Sequence, residues 1–502
     1  MPNLVYNIFK LTIIGIIFFN LSSILLFCTK ISLMDYLYYG LLGLVLVILV
    51  FCGNSLYNLN ILEKKCKENE DERHLDKIIH TKQLINTVIV LGFLMSAFLV
   101  YCLLKGSIYE GHFHEWSNLI VRWLHITFGI AWIGSSFYFI SLENGLNRTK
   151  DLRDELAGNY WAVHGGGFYY LEKYNIAPKV IPKELHWFKY ESYFTWVSGI
   201  CLLFIVYYFN AKAMLIDPKI CDLTPSKGIG LGIFSLFLGW ILYDRMCKSN
   251  LSKFPLAFAL IGFIFAIEFA FVYSHIFTPR AAFMHFGALI GTIMTLNVFF
   301  VIIPSQKAMV EAAKNGTYLN PQLGKNAGLR SLHNNYFTLP VLFIMISNHF
   351  PSTFSHEYPW LILAGLSLGS AGIKHYLNLK EKGEQSIWVF PISVLLLLSV
   401  AFITSPKKGN SCSDTVSFKE IYPIIQSRCI QCHSASPTDK IFTVAPNGVM
   451  YDKPEDIKRL SDKILQRAVI TKNMPQNNIT NMTEDERDMI RCWIEQGSNI
   501  DN

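Results

Sequence analysis

Charged residues are scarce in this sequence. They make up 16% of its 502 residues, whereas 52% are hydrophobic and the mean hydropathy is +0.32. Soluble globular chains carry about 25% charged residues, so most of this chain reads as integral membrane protein. A nucleic-acid signal is lacking as well. The net charge of +7 comes mostly from Lys and Arg in short loops between apolar runs, where basic residues set orientation. Eleven cysteines are present, but no spacing suggests a disulfide framework. Cys28, Cys52, Cys102 and Cys201 lie in apolar runs and read as small buried thiols. Cys412 and Cys492 are a pair that an oxidising compartment would allow, without the sequence requiring it. No internal repeat is visible. The first apolar run, LTIIGIIFFNLSSILLF, has no good small-residue cleavage site and is expected to be a span, not a signal peptide.

Long apolar runs are what the chain has in quantity. A spanning helix needs roughly 20 apolar residues. Candidate spans lie near 10–28, 36–54, 84–104, 119–141, 193–210, 228–243, 255–275, 280–303, 335–350, 358–374 and 387–404. The aromatic content of 14% suits interfacial belts. Loops 55–83, 142–192, 244–254, 304–334 and 375–386 hold most of the loop Lys and Arg, and the positive-inside rule makes them cytoplasmic. Everything after residue 405 is then outside. The expected location is a bacterial inner membrane, crossed many times, with the carboxy-terminal part in the periplasm.

That carboxy-terminal part contains RCIQCHSAS. Cys429, Cys432 and His433 form C-x-x-C-H, the attachment signature of c-type haem: two thioethers, and the histidine as iron ligand. A zinc site would need a second ligand pair, and the only later cysteine is Cys492. About forty residues on, TKNMPQNN offers Met474 as second axial ligand, with Met450 and Met482 as substitutes. The segment 405–412 reads as a linker and 413–502 as a small cytochrome c domain.

Haem c names no substrate. Five longer stretches carry a resemblance that does: NLIVRWLHITFGIAWIGSSFYFISLENGL (118–146), YWAVHGGGFYYLEKY (160–174), ELHWFKYESYFTWVSG (184–199), PRAAFMHFGALIGTIMTLNVFFVIIPSQ (279–306) and RSLHNNYFTLPVLFIMISNHFP (330–351). In this order, with the C-x-x-C-H segment after them, they resemble the membrane-bound urate oxidases fused to cytochrome c, the PuuD-type urate hydroxylases. The resemblance implies an all-α fold: an eight-span membrane domain at 109–404, preceded by an additional membrane region at 1–108. It also implies oxidation of urate to 5-hydroxyisourate, with electrons leaving through haem c and not reducing oxygen. The next acceptor would be a soluble cytochrome c or a terminal oxidase. It does not identify the urate-binding residues.

The histidines suggest where those residues are. His125 and His285 each lie about six residues into a span that starts outside, and His275 and His349 end spans on that side. Intramembrane ligating residues are usually functional. His125 and His285 are candidates to hold a b-type haem, while nearby Gly129, Gly134, Gly287 and Gly291 serve helix packing equally well. On the cytoplasmic side His164, His186 and His333 are catalytic candidates, with Gly165, Gly166 and Gly167 forming either an anion-binding nest or a turn. No G-x-S-x-G accompanies this HGGG, which excludes a hydrolase. Glu268, inside a span, is a proton-relay candidate or the partner of an arginine.

A urate site needs a cationic donor, polar partners for the carbonyls, stacking surface and a base. The inner layer offers Lys189, Asn334, Asn335, Trp161, Phe168 and Trp187 besides its histidines; the outer layer offers Arg122, Trp123, Arg280 and Asn297. An inner site would send electrons across roughly 30 Å of hydrocarbon and require an intermediate carrier; an outer site would not. Two other readings stay open here. One is a haem-bearing electron-transfer subunit serving a partner dehydrogenase. The other is a transporter, whose mark of two related halves with broken helices is not evident.

Overall fold

The structure is a computed structural model. It describes residues 33–68, 72–104, 109–405 and 412–501, apart from single positions at 179, 183, 385, 413, 440, 441 and 443. The expected first span, 10–28, and most of the linker at 405–412 lie outside the described residues. The chain divides into two compact units, 1–116 and 117–502.

In the first unit, α1 (Leu33–Glu68) and α2 (Glu72–Leu104) pack against each other as a helical hairpin. The Lys82 ammonium reaches Glu63 across it.

The second unit takes in most of α3 (Glu110–Asn144) and then a β-hairpin, β1 (Leu156–His164) with β2 (Gly167–Tyr174). After it come α4 (Tyr190–Leu203), α5 (Ala211–Met214), α6 (Pro225–Lys248), α7 (Pro255–Ile276), α8 (Pro279–Asn297), α9 (Ile303–Lys314), α10 (Pro321–Ser347), α11 (Pro351–Phe354), α12 (Pro359–Glu381) and α13 (Val389–Ile403). Proline at the first helical position starts α6, α7, α8, α10 and α12, where its missing N–H costs nothing. Thr224, Thr278 and Asn320 cap α6, α8 and α10 through their side chains. Central to the bundle is α8, which packs on α4, α6, α7 and α10. Its Phe283, Phe286 and Leu289 join Leu236, Tyr273, Phe277 and Ile344 in the main core. By contrast α7 is apolar on every face, exposing Leu256, Leu260 and Ile264 while burying Phe258 and Tyr273. Such a helix suits an apolar surround.

Ten expected spans each coincide with one described helix. Seven described helices are long and apolar enough to cross a membrane, and α13 is a shorter apolar one. The all-α expectation needs correction at the hairpin. Residues 156–174 were expected to lie in a long loop, yet they pair in antiparallel register from Leu156↔Tyr174 to His164↔Gly167. Aromatic residues on both strands, with Gly165 and Gly166 at the turn in left-handed conformation, specify a two-residue hairpin. The 304–334 loop is corrected too: α9 fills its first part, and α10 begins fourteen residues before the expected span.

At the carboxy terminus α14 (Phe418–Arg428), α15 (Pro454–Arg459), α16 (Ser461–Ile464) and α17 (Glu484–Glu495) surround a second core of Ile421, Ile425, Ile457, Met482, Ile490 and Trp493. Capping boxes Ser417–Glu420 and Thr483–Glu486 start α14 and α17. A disulfide joins Cys412 to Cys492, with the Cα atoms 5.5 Å apart.

Candidate functional site

The end of α14 delivers Cys429, with Cys432 and His433 in the turn that follows. The His433 Nδ1–H donates to the Val449 carbonyl at 2.9 Å, which fixes the ring and leaves Nε2 as its open nitrogen. Burial holds the imidazole below its usual range, against the Val449 hydrogen bond. Burial also pushes the Cys429 thiol up to about 12, with Cys432 adding to the shift. It pushes Cys432 up to about 11, with Asp439 adding. Among the described residues no group of three or more His, Cys, Asp or Glu converges as a metal site. Asp452 pins the loop after the motif, accepting from Ser434 Oγ at 2.7 Å and Ala435 N at 2.8 Å.

Met474 is half-buried, with both its backbone groups engaged. Its N–H donates to Arg467 O at 3.0 Å, and its carbonyl accepts from Arg487 Nη1 at 2.9 Å. Met482 lies in the apolar core and Met450 adjoins Val449, which holds the histidine ring. Immediately after Met474, the Gln476 and Asn477 side-chain amides donate to the Ala213 carbonyl at 3.2 and 3.0 Å. Asn477 also reaches Ile216 O at 3.4 Å. The methionine loop thereby sits on the segment that joins α4 to α6.

His285 is completely buried on α8. Its Nδ1–H donates to Ala281 O at 2.8 Å, and its Nε2 lies 3.1 Å from the Tyr208 hydroxyl. Phe277, Tyr273, Tyr207 and Tyr208 surround the ring. A β-carbon on Gly232 would stand 2.8 Å from Nε2. His125 turns its Nδ1 toward Thr195 O at 3.0 Å and Ser198 Oγ at 3.2 Å, joining α3 to α4. In this arrangement both ring nitrogens of His285 are engaged, and His125 turns its Nδ1 to α4. His275 and His349 are exposed.

The inner histidines are not brought together. His164 is exposed at the hairpin turn, so HGGG serves as a turn here. His186 is exposed and meets Phe188 edge-on at 4.5 Å. His333, in contrast, belongs to a buried network. Its Nδ1 is 2.8 Å from the Tyr243 hydroxyl, and Phe258 stacks on its ring at 4.8 Å. Asn297 Nδ2 donates to Tyr243 at 3.2 Å and to Asn334 Oδ1 at 3.1 Å. Arg330 donates to Asn297 Oδ1 at 3.1 Å and pairs with Asp244 at 2.7 Å. Asn297 is thus corrected from the outer layer to the inner one: along α8 it lies about 25 Å from Arg280. Arg330, Asp244 and Tyr243 escaped the sequence reading, although an Asp inside the apolar run ILYDRM was a usable signal. Glu268 is exposed on α7, with no hydrogen bond or ion pair among the described residues.

Over residues 111–405 the chain matches the family described as "Urate oxidase N-terminal". The chain belongs to the urate oxidase N-terminal family. No curated protein and no solved structure matches it. Membership brings a urate-related oxidoreductase function to this family member, and the matched region holds both the His285 cage and the Arg330 network.

Proposed function

We propose that this protein is a membrane-bound urate oxidase that converts urate to 5-hydroxyisourate and passes the electrons to a haem c in its own carboxy-terminal segment. The reaction balances as urate plus water giving 5-hydroxyisourate, two protons and two electrons. Urate is the substrate, and a soluble cytochrome c or a terminal oxidase is the class of final acceptor. The observation that carries the reading is the family match, joined in one chain to a C-x-x-C-H turn whose histidine has an open Nε2.

The residues fit the group. Cys429 and Cys432 would hold haem c by thioethers, and His433 and Met474 would supply side chains to its iron. Bound there, it supplies one-electron redox chemistry at a potential raised by the methionine. The chain does the rest: Val449 orients the imidazole, Arg467 and Arg487 fix the Met474 backbone, and Gln476 and Asn477 tie that loop to the bundle. Placement in a bacterial inner membrane, with residues beyond 405 in the periplasm, is supported by the loop charges and by the Cys412–Cys492 disulfide, which needs an oxidising compartment.

The test is anaerobic addition of urate to the purified, haem-loaded protein while the haem c absorption is followed. Reduction of the haem by urate is expected. A haem that stays oxidised with urate yet is reduced by dithionite sinks the reading.

A further inference from the structure

Arg280 has two other arginines near it where the carboxy-terminal segment meets the bundle. Arg280 opens α8, Arg122 lies on α3, and Arg467 stands seven residues before Met474. Arg280 is close enough to repel both other guanidinium groups. Among the described residues none of the three pairs with a carboxylate. Arg280 donates to Asn348 Oδ1, and Arg122 to Asn118 Oδ1 at 2.9 Å, both uncharged partners. Holding like charges together in a half-buried place is costly unless an anion joins them.

A second observation points the same way. Tyr207, only 4% exposed, belongs to the wide helical turn Phe204–Tyr208 that continues α4. Its hydroxyl has no hydrogen bond of normal geometry, yet it lies within interaction range of Arg280 and Arg122. The Arg280 guanidinium beside it can only donate, so the buried hydroxyl still has its own hydrogen to offer an acceptor. The wide turn is itself a feature frequent at functional sites. The N-terminus of α8 adds its dipole beside Arg280.

The Arg330 network at the other end of α8 differs in kind. Arg330, Asp244, Asn297 and Tyr243 already satisfy one another, so that network has little left to offer a ligand.

We infer that Arg122, Arg280, Arg467 and Tyr207 form the binding site for the urate anion. This rests on the function proposed above and deepens it by choosing the outer of the two layers. A guanidinium is a planar fork that donates two parallel hydrogen bonds to the edge of a planar oxyanion. Urate presents such edges. The site also shares Arg467 with the Met474 loop, since the Arg467 carbonyl accepts from the Met474 N–H. Electrons released here enter the haem segment directly and need no carrier within the bundle.

The test uses full-length, haem-loaded protein in detergent. Urate binding to the dithionite-reduced protein is measured by equilibrium dialysis, beside the rate of haem reduction by urate in the oxidised protein. R280Q and R122Q should each weaken urate binding by roughly tenfold or more, the worth of a charge-assisted hydrogen bond. Y207F should cost less, and R280K should restore part of the affinity. The haem spectrum and midpoint potential should stay as in the wild type, which also shows that the variants fold. Unchanged urate affinity in R280Q and R122Q, in a wild type that binds urate, overturns the site. So does a shifted haem potential with urate affinity intact, because the arginines would then serve the haem carboxylates. A wild type that neither binds urate nor is reduced by it removes the proposed function itself, and the site with it.

Discussion

Met474 and Met482 have different surroundings, and these bear on which of them is free to act as a ligand. Both are methionines in the same segment and both follow polar loops, so the sequence kept the second as a substitute for the first. Met482 is 3% exposed among Phe418, Ile490 and Trp493, whereas Met474 is half-buried and tied at both its N–H and its carbonyl. Met474→Leu should therefore leave the haem covalently attached but lower its midpoint potential by on the order of a hundred millivolts, a fraction of the ≈0.8 V range that axial ligands span. Met482→Leu, a nearly volume-conserving change in a core, should leave the potential alone and cost less than about 1.5 kcal/mol. Redox titration of both variants checks this, and equal potentials would assign the ligand elsewhere. The C-x-x-C-H turn was legible in sequence because its chemistry is local: five consecutive residues carry it. The hydrogen bond from His433 to Val449 spans sixteen positions and no spacing announces it.

Among the elements, α10 was only half legible. Its run from Tyr336 to Ser347 is apolar and reads as a span, while Arg330, His333 and Asn334 read as loop. Hydropathy counts a residue's own polarity and cannot see the partner across the bundle that makes burying it tolerable. Arg330 is 3% exposed because Asp244 of α6 and Asn297 of α8 receive its donors. The hairpin was missed for a related reason: its apolar runs, YWAV (160–163) and FYYL (168–171), are only four residues each, and a search for long apolar runs passes over them. The Arg330–Asp244 pair makes a measurable claim. Arg330→Met leaves Asp244 buried with, among the described residues, only Lys248 as charged partner, and the Lys248 side chain is largely exposed. A loss approaching about 3 kcal/mol is expected, since removing one member of a buried pair strands the other. Asp244→Asn should also destabilise, and the double variant should lose less than the sum of the two. Thermal unfolding in detergent reads the three values. Strict additivity would mean that the pair contributes nothing as a pair.

At the scale of the whole chain, the family-matched region and the C-x-x-C-H segment are mechanically joined. The family match ends at residue 405, and the C-x-x-C-H motif begins at 429. Sequence order places both in one chain but does not show that they touch. The contact is carried by Gln476 and Asn477, which donate to Ala213 and Ile216 carbonyls. That stretch is in turn held by Thr278, which donates to Met214 O through its hydroxyl and to Leu215 O through its N–H. Thr278 caps α8 two residues before Arg280. A short chain of hydrogen bonds thus links the methionine loop to the start of the central helix. Asn477 has a left-handed backbone (φ 51°), which Gly tolerates at least as well as Asn. Asn477→Gly therefore removes the amide without straining the loop, and pairing it with Gln476→Ala removes both donors to Ala213. The double variant should keep its haem spectrum and be reduced by dithionite at the wild-type rate, yet accept electrons from urate more slowly. Stopped-flow reduction by the two donors makes the comparison. Equal slowing with both would place the defect in the haem segment itself. No slowing with urate would mean that electrons reach the haem by a route this contact does not govern.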